Sequence, residues 1–448
     1  MTGRLREELS RIGDTAPVAH VDPDTWRRAR RARTRDRVLV GAAAVAVLAL
    51  VGGLGGILPS HDSTPVAGGS APGVPDHLYT VPASASAAPE ADLAVGTGAA
   101  AWMSECCDVV VVGARDGSYH VLHPPGFPGR GELLISDMND EVPLTLSPDG
   151  SHLAYSWFTA PRSDGTRRSG VRVLDLLTGG VRTVRIDASI GVEVTNIAWS
   201  PEGQWLSWNG VDTTRWDESG ETSNTEVAGR IAPGATRSEA VPLPDDANRS
   251  LAIGDDGVVW IATTNELTQW DGERSATRAH PGRLSRTGLV APDGDVLAVG
   301  VGRDGPVANP GRSTLATLID ARTGDLTRLK ADERGQGQVT TPLGWVDDRL
   351  LVTVSPFDRN GGGSSPQRLE LIGSGQPPTT VGTADYGVPT TLTVATDLMS
   401  LDRPTVDRPE PEWPLSGEWR ALAIGLGVAA ALGLLVGGLW LRRRTRPM

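Results

Sequence analysis

The sequence predicts an all-β domain, built from repeated four-stranded sheets, with one membrane-spanning helix on each side of it. Two uncharged apolar stretches stand near the ends of the 448-residue chain. Between them, short runs of β-forming residues alternate with turn signals, and one turn phrase returns several times. A chain of this length can bury a sizeable core, so size sets no obstacle to such a fold.

The two apolar stretches are residues 38–58 and 421–441, and each has 21 residues without a charge. About 20 apolar residues cross the hydrocarbon core of a bilayer as a helix. Seven Arg precede the first stretch within residues 27–37, and four Arg follow the second. Positively charged flanks stay in the cytoplasm. We therefore predict a cell-membrane protein with both termini in the cytoplasm, the main domain outside the cell and the lipid bilayer as a partner.

A cleaved signal peptide is the alternative interpretation of residues 38–58. Such a peptide ends in a small-x-small cleavage site directly after its apolar run. Here the run is followed by Pro59, Ser60 and His61. The lack of a cleavage site favours a permanent anchor.

Composition divides the rest of the chain. Residues 59–91 are rich in Pro, Ser, Ala and Gly, which is typical of a flexible linker. Residues 401–420, rich in Pro and acids, form a second linker before the second span. The predicted extracytoplasmic domain is therefore residues 92–400, and residues 1–37 and 442–448 are cytoplasmic tails.

The charge is unevenly distributed along the chain. The formal net charge is −12, yet residues 1–37 carry ten Arg against six acids, and residues 442–448 carry four Arg and no acid. The segment between them consequently carries −20. Such an acidic domain argues against nucleic acid as a partner, since phosphate backbones require a basic surface. Lys330 is the only lysine, and the abundance of Arg, Ala, Gly, Val and Pro resembles proteins of GC-rich actinobacteria.

One turn phrase recurs in the predicted domain. Pro fixes φ at the first turn position, Asp bonds the local backbone, and Gly adopts a positive φ, so each copy predicts a tight hairpin between two strands. The clear copies are SPDG at 147–150, SPEG at 200–203 and APDG at 291–294. Weaker copies are predicted at Asp116-Gly117, Asp256-Gly257 and Asp347-Asp348.

A second phrase follows the first at a constant distance. It reads DLLTG at 175–179 and DARTG at 320–324. One strand pair closed by the first phrase and another closed by the second make a four-stranded blade. The region resembles β-propellers of the TolB type, which also occur in dipeptidyl peptidases and are related to WD-repeat proteins. With blades of about 40–45 residues, the resemblance implies six or seven blades. Residues 386–399 are expected to close the ring with residues 92–102, and a pair of β-sandwiches is the structural alternative.

The sequence carries no recognisable catalytic motif. It has no GxSxG elbow, no HExxH or HxH pattern and no Gly-rich phosphate loop between a strand and a helix. We therefore predict no catalytic, cofactor-binding or metal-binding residues, and a protein that is not an enzyme. The adjacent Cys106 and Cys107 could form a strained vicinal disulfide outside the cell. The alternative is a structural loop feature without redox chemistry.

Candidate partner-binding residues lie in the longest irregular insertions. These insertions are residues 159–170, 211–225 and 359–367, and each is expected between the two hairpins of a blade. The same position in every blade falls on the same face, so the three should gather there. Trp216 is the predicted aromatic anchor, and the other candidates are Arg215, Asp217 and Arg359. The expected partner is an envelope protein, peptide or glycan.

Two functions are compatible with this organisation. The first is a non-catalytic extracytoplasmic binding or scaffolding module. The alternative is a signalling regulator, because a cytoplasmic tail, a span and an outer domain resemble actinobacterial transmembrane anti-sigma factors. Leu5, Leu9 and Ile12 recur at helical spacing and could bind a cytoplasmic factor. However, the tail is short for a sigma-binding domain, and His20 lacks an HxxxCxxC companion. The Arg cluster could instead serve only to set topology and contact anionic lipids.

Overall fold

In the computed structural model, the β-strands lie within one structural unit of the chain, Pro65–Ser416. The described residues are 71–82, 89–104, 108–128, 142–159, 168–187, 191–216, 222–244, 250–263, 266–279, 288–300, 314–320, 322–330, 339–355, 366–385, 388, 391–411 and 413. None of the helices among these residues has the length and apolar character that a bilayer span needs. The predicted spans, residues 38–58 and 421–441, lie outside the described residues.

The described part of the chain is almost entirely β-structure. Its strands are β1 (His77–Leu78), β2 (Gly98–Met103), β3 (Val109–Gly113), β4 (Tyr119–Leu122), β5 (Leu144–Leu146), β6 (His152–Phe158), β7 (Ser169–Asp175), β8 (Val181–Ile186), β9 (Val192–Trp199), β10 (Leu206–Trp216), β11 (Thr222–Ile231), β12 (Glu239–Val241), β13 (Ser250–Ile253), β14 (Val259–Ala262), β15 (Glu266–Trp270), β16 (Ser275–Ala279), β17 (Gly288–Val290), β18 (Val296–Gly300), β19 (Thr314–Asp320), β20 (Leu326–Lys330), β21 (Val339–Val346), β22 (Arg349–Ser355), β23 (Gln367–Gly373), β24 (Gln376–Ala384) and β25 (Thr393–Val394). A short 3-10 helix, Thr396–Leu398, follows β25.

These strands form six antiparallel sheets, which are the six blades of a propeller. Blade 1 has the order β25-β2-β3-β4, blades 2 to 5 are β5–β8, β9–β12, β13–β16 and β17–β20, and blade 6 is β21–β24 with β1 added outside. The innermost strand of each blade contacts the innermost strands of both neighbouring blades, so the sheets close into a ring. The predicted all-β propeller is confirmed with six blades, and the sandwich alternative is excluded.

The ring is closed by the C-terminal strand. β25 lies innermost in blade 1, where Val394 pairs with Ala100 and Thr393 pairs with Ala101. The expected closure of residues 386–399 on residues 92–102 is therefore confirmed. The N-terminal strand closes the ring a second time, because β1 runs parallel to β24 at the outer edge of blade 6.

The domain extends beyond the boundaries that the sequence predicted. β1 falls inside the predicted linker 59–91, and both its Leu78 and the preceding Val74 are completely buried. Val406, inside the predicted linker 401–420, bridges to Pro75. Composition hid these segments, since a strand of two residues shows no periodicity and its surroundings are rich in Pro, Ala and Ser.

The core lies between the blades. Six apolar clusters fill the six blade interfaces. β3 shows how one strand serves two of them: Val110 and Val112 pack toward blade 6, while Val109 and Val111 pack toward blade 2. A strand that is covered on both faces reads as a continuous apolar run, which is why the sequence has four consecutive valines here.

The antiparallel order defines two faces of the ring. Connections from first to second and from third to fourth strand lie on one face, which we call the turn face; connections from second to third strand lie on the opposite loop face. The SPDG-type phrases join first and second strands, and the DxxTG phrases join third and fourth strands. Asp116-Gly117 joins β3 and β4, the third and fourth strands of blade 1. It therefore occupies the position of the DxxTG phrase, and its prediction as a copy of the SPDG phrase is wrong.

The predicted positive φ of the turn glycines is confirmed, with +73° at Gly150, +70° at Gly203 and +71° at Gly294. Their surroundings differ. A Cβ on Gly150 would lie 2.0 Å from the carbonyl oxygen of Gly98, whereas a Cβ on Gly294 would meet no described atom within 4 Å.

We expect Gly150→Ala to destabilise the domain by about 3 kcal/mol and Gly294→Ala by about 1 kcal/mol. Both variants strain a left-handed backbone. Only the Cβ at position 150 collides with another part of the chain, namely the carbonyl of Gly98 at the start of β2. Thermal and denaturant unfolding of the two variants measure the difference. Equal losses would contradict the close contact between Gly150 and Gly98.

Candidate functional site

The structure puts the three insertions at equivalent positions in their blades. Residues 159–168 connect β6 to β7, residues 217–221 connect β10 to β11, and residues 356–366 connect β22 to β23. Each is a connection from second to third strand, and all three therefore belong to the loop face. Cys106 and Cys107 belong there too, because they connect β2 to β3.

The insertion at residues 211–225 is not irregular, as the sequence predicted, but a long hairpin. β10 pairs with β11 from Leu206 as far as Trp216, whereas β9 accompanies β10 only as far as Asp212. The hairpin tip, residues 213–224, consequently extends beyond the inner strand. The sequence of these two strands is polar at successive positions and lacks the alternation of a half-buried strand, so it resembles a loop.

The candidate binding residues themselves are only partly covered. Arg215 and Trp216 belong to β10, with a bulge between Thr213 and Arg215. Asp217, Arg359 and the two cysteines lie outside the described residues. Their proposed contacts with a partner, and the vicinal disulfide, stay predictions.

A cavity of about 550 Å³ opens in blade 2 beside the insertion at residues 159–170. We call it the arginine pocket, because four of its eight lining residues are Arg and none is acidic. The lining consists of Trp157, Thr159, Arg168, Arg172, Thr183, Arg185, Thr236 and Arg237. From the sequence, only the part of this lining that lies in the insertion at residues 159–170 is predicted to belong to a binding region.

Strand register builds the floor of the arginine pocket. Trp157 pairs with Gly170 across β6 and β7, and Gly170 pairs with Arg185 across β7 and β8. Directly paired residues project from the same side of a sheet. A Cβ on Gly170 would lie 2.1 Å from the carbonyl oxygen of Val184 and 3.1 Å from Nε1 of Trp157. Glycine is therefore required there, because the Val184 carbonyl and the Trp157 indole occupy the space that a larger side chain would need.

The adjacent blade supplies the other wall. Arg185 forms an isolated parallel bridge with Arg237 of blade 3. The Arg185 N–H donates to the carbonyl of Thr236 at 3.0 Å, and the Ser238 N–H donates to the carbonyl of Arg185 at 3.1 Å. Two backbone bonds thus hold Arg185 and Arg237 side by side, although they belong to different blades.

Arg172 is held more firmly than the other three arginines. Its guanidinium lies 4.7 Å from the centre of the Trp157 ring, a cation–π distance. It also donates to Oγ1 of Thr183 at 3.3 Å and to the carbonyl of Pro125 in the connection after blade 1. Tyr155 donates to the same carbonyl at 3.0 Å, and burial raises the pKa of Tyr155 to about 12. The tyrosine consequently stays neutral beside the cation.

The remaining arginines are solvent-exposed and poorly neutralised. Arg168, Arg185 and Arg237 are all exposed. Arg237 approaches Asp187 at 3.8 Å, with both side chains about three-quarters exposed or more, and such a pair contributes little. The backbone bridge nevertheless brings two like charges, Arg185 and Arg237, to neighbouring positions.

The turn face has the opposite electrostatic character near the ring axis. Burial raises the pKa of Asp397, and repulsion from Asp149, Asp255 and Glu202 raises it further. These carboxylates come from the inner turns of blades 2, 3 and 4 and from the segment after β25. Even so, no three His, Cys, Asp or Glu side chains gather as metal ligands would in the part of the chain that the structure describes.

One hydrogen-bonded chain has the connectivity of a serine hydrolase triad. Oγ of Ser118 lies 2.8 Å from Nε2 of His120, and Nδ1 of His120 lies 3.0 Å from the Glu90 carboxylate. However, Ser118 also donates its Oγ–H to Asp116 at 2.7 Å. A hydroxyl has a single proton, and a carboxylate that accepts it prevents its transfer to His120.

The turn around Ser118 is a recurring structural element. In blade 2, Ser151 donates both its N–H and its Oγ–H to Asp149, as Ser118 does to Asp116. Burial alone would raise the pKa of Asp116, but the hydrogen bonds from Ser118 outweigh it and hold the pKa below its ordinary value. The carboxylate is thus a stable acceptor that orders the turn.

Comparison with solved structures reveals distant likenesses. TolB from Acinetobacter baumannii has 12% identity and a TM-score of 0.34, with 68% of this chain and 67% of that chain covered. The acylaminoacyl peptidase of Pyrococcus horikoshii has 11% identity and a TM-score of 0.39, with 61% and 41% covered. The β-propeller domain of the Trilobed protease from Pyrococcus furiosus has 14% identity and a TM-score of 0.30, with 55% and 71% covered.

These likenesses concern the propeller fold alone. The chain spans about two-fifths of the length of the acylaminoacyl peptidase. No protein-family model matches the sequence, and no curated protein matches it either.

We expect a fluorophosphonate probe not to label Ser118 in the detergent-solubilised full chain. The reason is that Asp116, rather than His120, accepts the proton of the hydroxyl. Intact mass and peptide mapping measure labelling, with Ser151→Ala as the control for the equivalent turn. Labelling that disappears in both Ser118→Ala and His120→Ala would reveal an active serine and contradict this assignment.

Proposed function

We propose that the protein is a membrane-anchored extracytoplasmic binding module, without catalytic activity, that takes up its ligand on the loop face. The observation that carries the proposal is the arginine pocket. Among the described residues that line it, there are four guanidinium groups and no carboxylate, in a chain whose formal net charge is −12. Such local enrichment, against the overall charge, is the mark of a recognition site.

The dimensions and position of the pocket support this proposal. A volume of about 550 Å³ falls within the range of about 300–1,000 Å³ for small-ligand pockets. The pocket begins next to the β6–β7 connection of the loop face and extends along the outer edge of blade 2 to the β11–β12 connection of blade 3. Ligands of propellers generally meet residues on one face and not the packed sheets.

The ends of the propeller are compatible with two anchors in one membrane. Pro75 and Val406 are bridged, and the Asp76 N–H donates to the carbonyl of Val406 at 3.0 Å. Arg408 donates to the carbonyls of Ala71 and Ala114. The chain thus enters and leaves the domain at one place, as two neighbouring spans on one side would require. Binding of a cytoplasmic factor by residues 1–37 stays an alternative that only the sequence suggests.

Membrane topology is tested with single cysteines in a full chain in which Cys106 and Cys107 are replaced by Ser. Reporters at Thr2 and Thr445 should be shielded from an impermeant thiol reagent in intact cells, whereas a reporter at Gly220 should be labelled. The Arg clusters that flank both spans give this expectation. Labelling at Thr445 would place the C-terminus outside and refute the two-anchor arrangement.

The choice of binding face is tested by shortening the β10–β11 hairpin. Replacing residues 213–224 with Asn-Gly closes the hairpin after the Asp212–Thr225 pair with a favoured two-residue turn. We expect the full chain to stay folded, as measured by circular dichroism, and to lose an envelope component that the native chain captures. Arg274→Gln on the turn face is the control and should retain capture. If the shortened chain captures every component as well as the native one, the loop face is not the binding face.

A further inference from the structure

We infer that the arginine pocket binds a phosphate group, either free or carried as an ester by a sugar or polyol. This inference deepens the proposed function and rests on it for its biological setting. The geometry behind it is the lining of the pocket: four guanidinium groups, three threonine hydroxyls and one indole around a single cavity. The guanidinium and hydroxyl groups are hydrogen-bond donors, whereas the indole N–H is directed at the carbonyl of Val184 and Arg172 uses part of its donors within the protein.

The number of donors favours phosphate over a carboxylate. One guanidinium fork satisfies a carboxylate through two parallel hydrogen bonds. Four guanidinium groups, three from β7, its preceding residue and β8 and one from the neighbouring blade, exceed that requirement. A phosphate carries more charge and up to four oxygens, so it can accept from several guanidinium groups simultaneously. Arg is also better suited than Lys to such bidentate recognition.

The cations favour an anion held on the side of blade 2 that faces blade 1, where Arg237 of blade 3 extends the row of side chains at the outer edge of the sheet. Arg185 and Arg237 lie side by side through their backbone bridge. Arg168 stands at the start of β7, at the rim, and Arg172 is fixed against Trp157 at 4.7 Å. An anion here would relieve the repulsion between neighbouring guanidinium groups that the strand register imposes.

Two other sources of phosphate fit the pocket less well. A phospholipid needs an apolar surface for its acyl chains, yet the lining contains no aliphatic residue. Nucleic acid needs a basic stripe along which successive phosphates lie, whereas the four arginines here surround one cavity in an acidic chain. A small or polymer-borne phosphate is the remaining fit.

The role of Trp157 is to position Arg172. The indole is buried, with 6% exposure, and its Nε1 points to the carbonyl of Val184 at 3.4 Å. The ring face is covered by the Arg172 guanidinium. Replacing Trp157 would therefore disturb Arg172 and the blade 1 contact together, so it is not a clean test of binding.

The test uses the full chain in detergent micelles and isothermal titration calorimetry at constant ionic strength. The probes are inorganic phosphate, glucose 6-phosphate, glucuronate and glucose. We expect glucose 6-phosphate to bind about tenfold or more tightly than glucuronate, and glucose to give no heat. Inorganic phosphate equal to glucose 6-phosphate would identify a site for the free anion, and weaker binding of inorganic phosphate a site for the ester. Glucuronate equal to or tighter than glucose 6-phosphate would overturn the inference.

A charge-matched pair of double variants attributes the binding to the pocket. Arg185→Gln/Arg237→Gln should weaken glucose 6-phosphate binding about tenfold or more. Arg274→Gln/Arg403→Gln removes the same charge from exposed positions elsewhere and should change affinity by less than about twofold. If the first variant fails to fold, Arg168→Gln replaces it, because Arg168 is exposed and lies outside the β8 bridge. Unchanged affinity in the folded pocket variant would overturn the inference.

The outcome is separable from that of the hairpin experiment. Loss of envelope capture in the shortened hairpin, without phosphate binding, would retain the binding module and reject the ligand class. The opposite result is phosphate binding that requires Arg185 and Arg237, with capture unchanged in the shortened hairpin. It would retain the ligand class and reject the loop face as the site of partner binding.

Discussion

The propeller depends on a two-residue strand. β25 completes blade 1, and side chains reinforce its few backbone bonds: the buried Leu146 N–H donates to Oγ1 of Thr393 at 3.0 Å, and the Met103 N–H donates to Oγ1 of Thr391 at 3.1 Å. The Ala395 N–H then donates to the carbonyl of Ala99. Without this strand, the inner edge of β2 would be unpaired, and the apolar clusters on both sides of blade 1 would lose residues that cover them. Ring closure thus protects two blade interfaces at once.

Arginine holds neighbouring blades together at their rims, where the apolar clusters end. Arg230 of blade 3 lies between the rings of Trp205, at 5.4 Å, and Trp270 of blade 4, at 4.6 Å. It donates to the carbonyls of Gly257 and Asp271 in blade 4. Arg172 does the same between blades 2 and 1 through Trp157 and Pro125. A planar guanidinium can stack on an aromatic ring and donate hydrogen bonds simultaneously. Arginine can therefore connect blades in a chain with one lysine, and Arg172 of the arginine pocket has such a structural role as well.

The sequence was informative where a local rule decides the structure. Pro, Asp and Gly define a tight turn within four residues, so the inner hairpins at Gly150, Gly203 and Gly294 could be predicted. β1 could not, because its pairing with β24 joins residues about 300 positions apart and leaves no local pattern. The arginine pocket was hidden for the same reason: Arg237 reaches Arg185 through a bridge between blades. A partial signal existed in Arg172 of β7 and Arg185 of β8, which place positive charges among the apolar residues of two neighbouring strands.

Placing the pocket on strands has a consequence for its behaviour. The register of β6, β7 and β8 fixes the backbone positions of Trp157, Gly170 and Arg185 relative to one another, so little backbone freedom is left to lose when a ligand binds. The same register keeps the cations close together in the empty protein, where the packed blades sustain their repulsion. An anion that binds only the folded domain would remove this repulsion and stabilise the fold by mass action. Binding and stability are therefore coupled at blades 2 and 3, while the turn face, with its carboxylates, is set apart from that coupling.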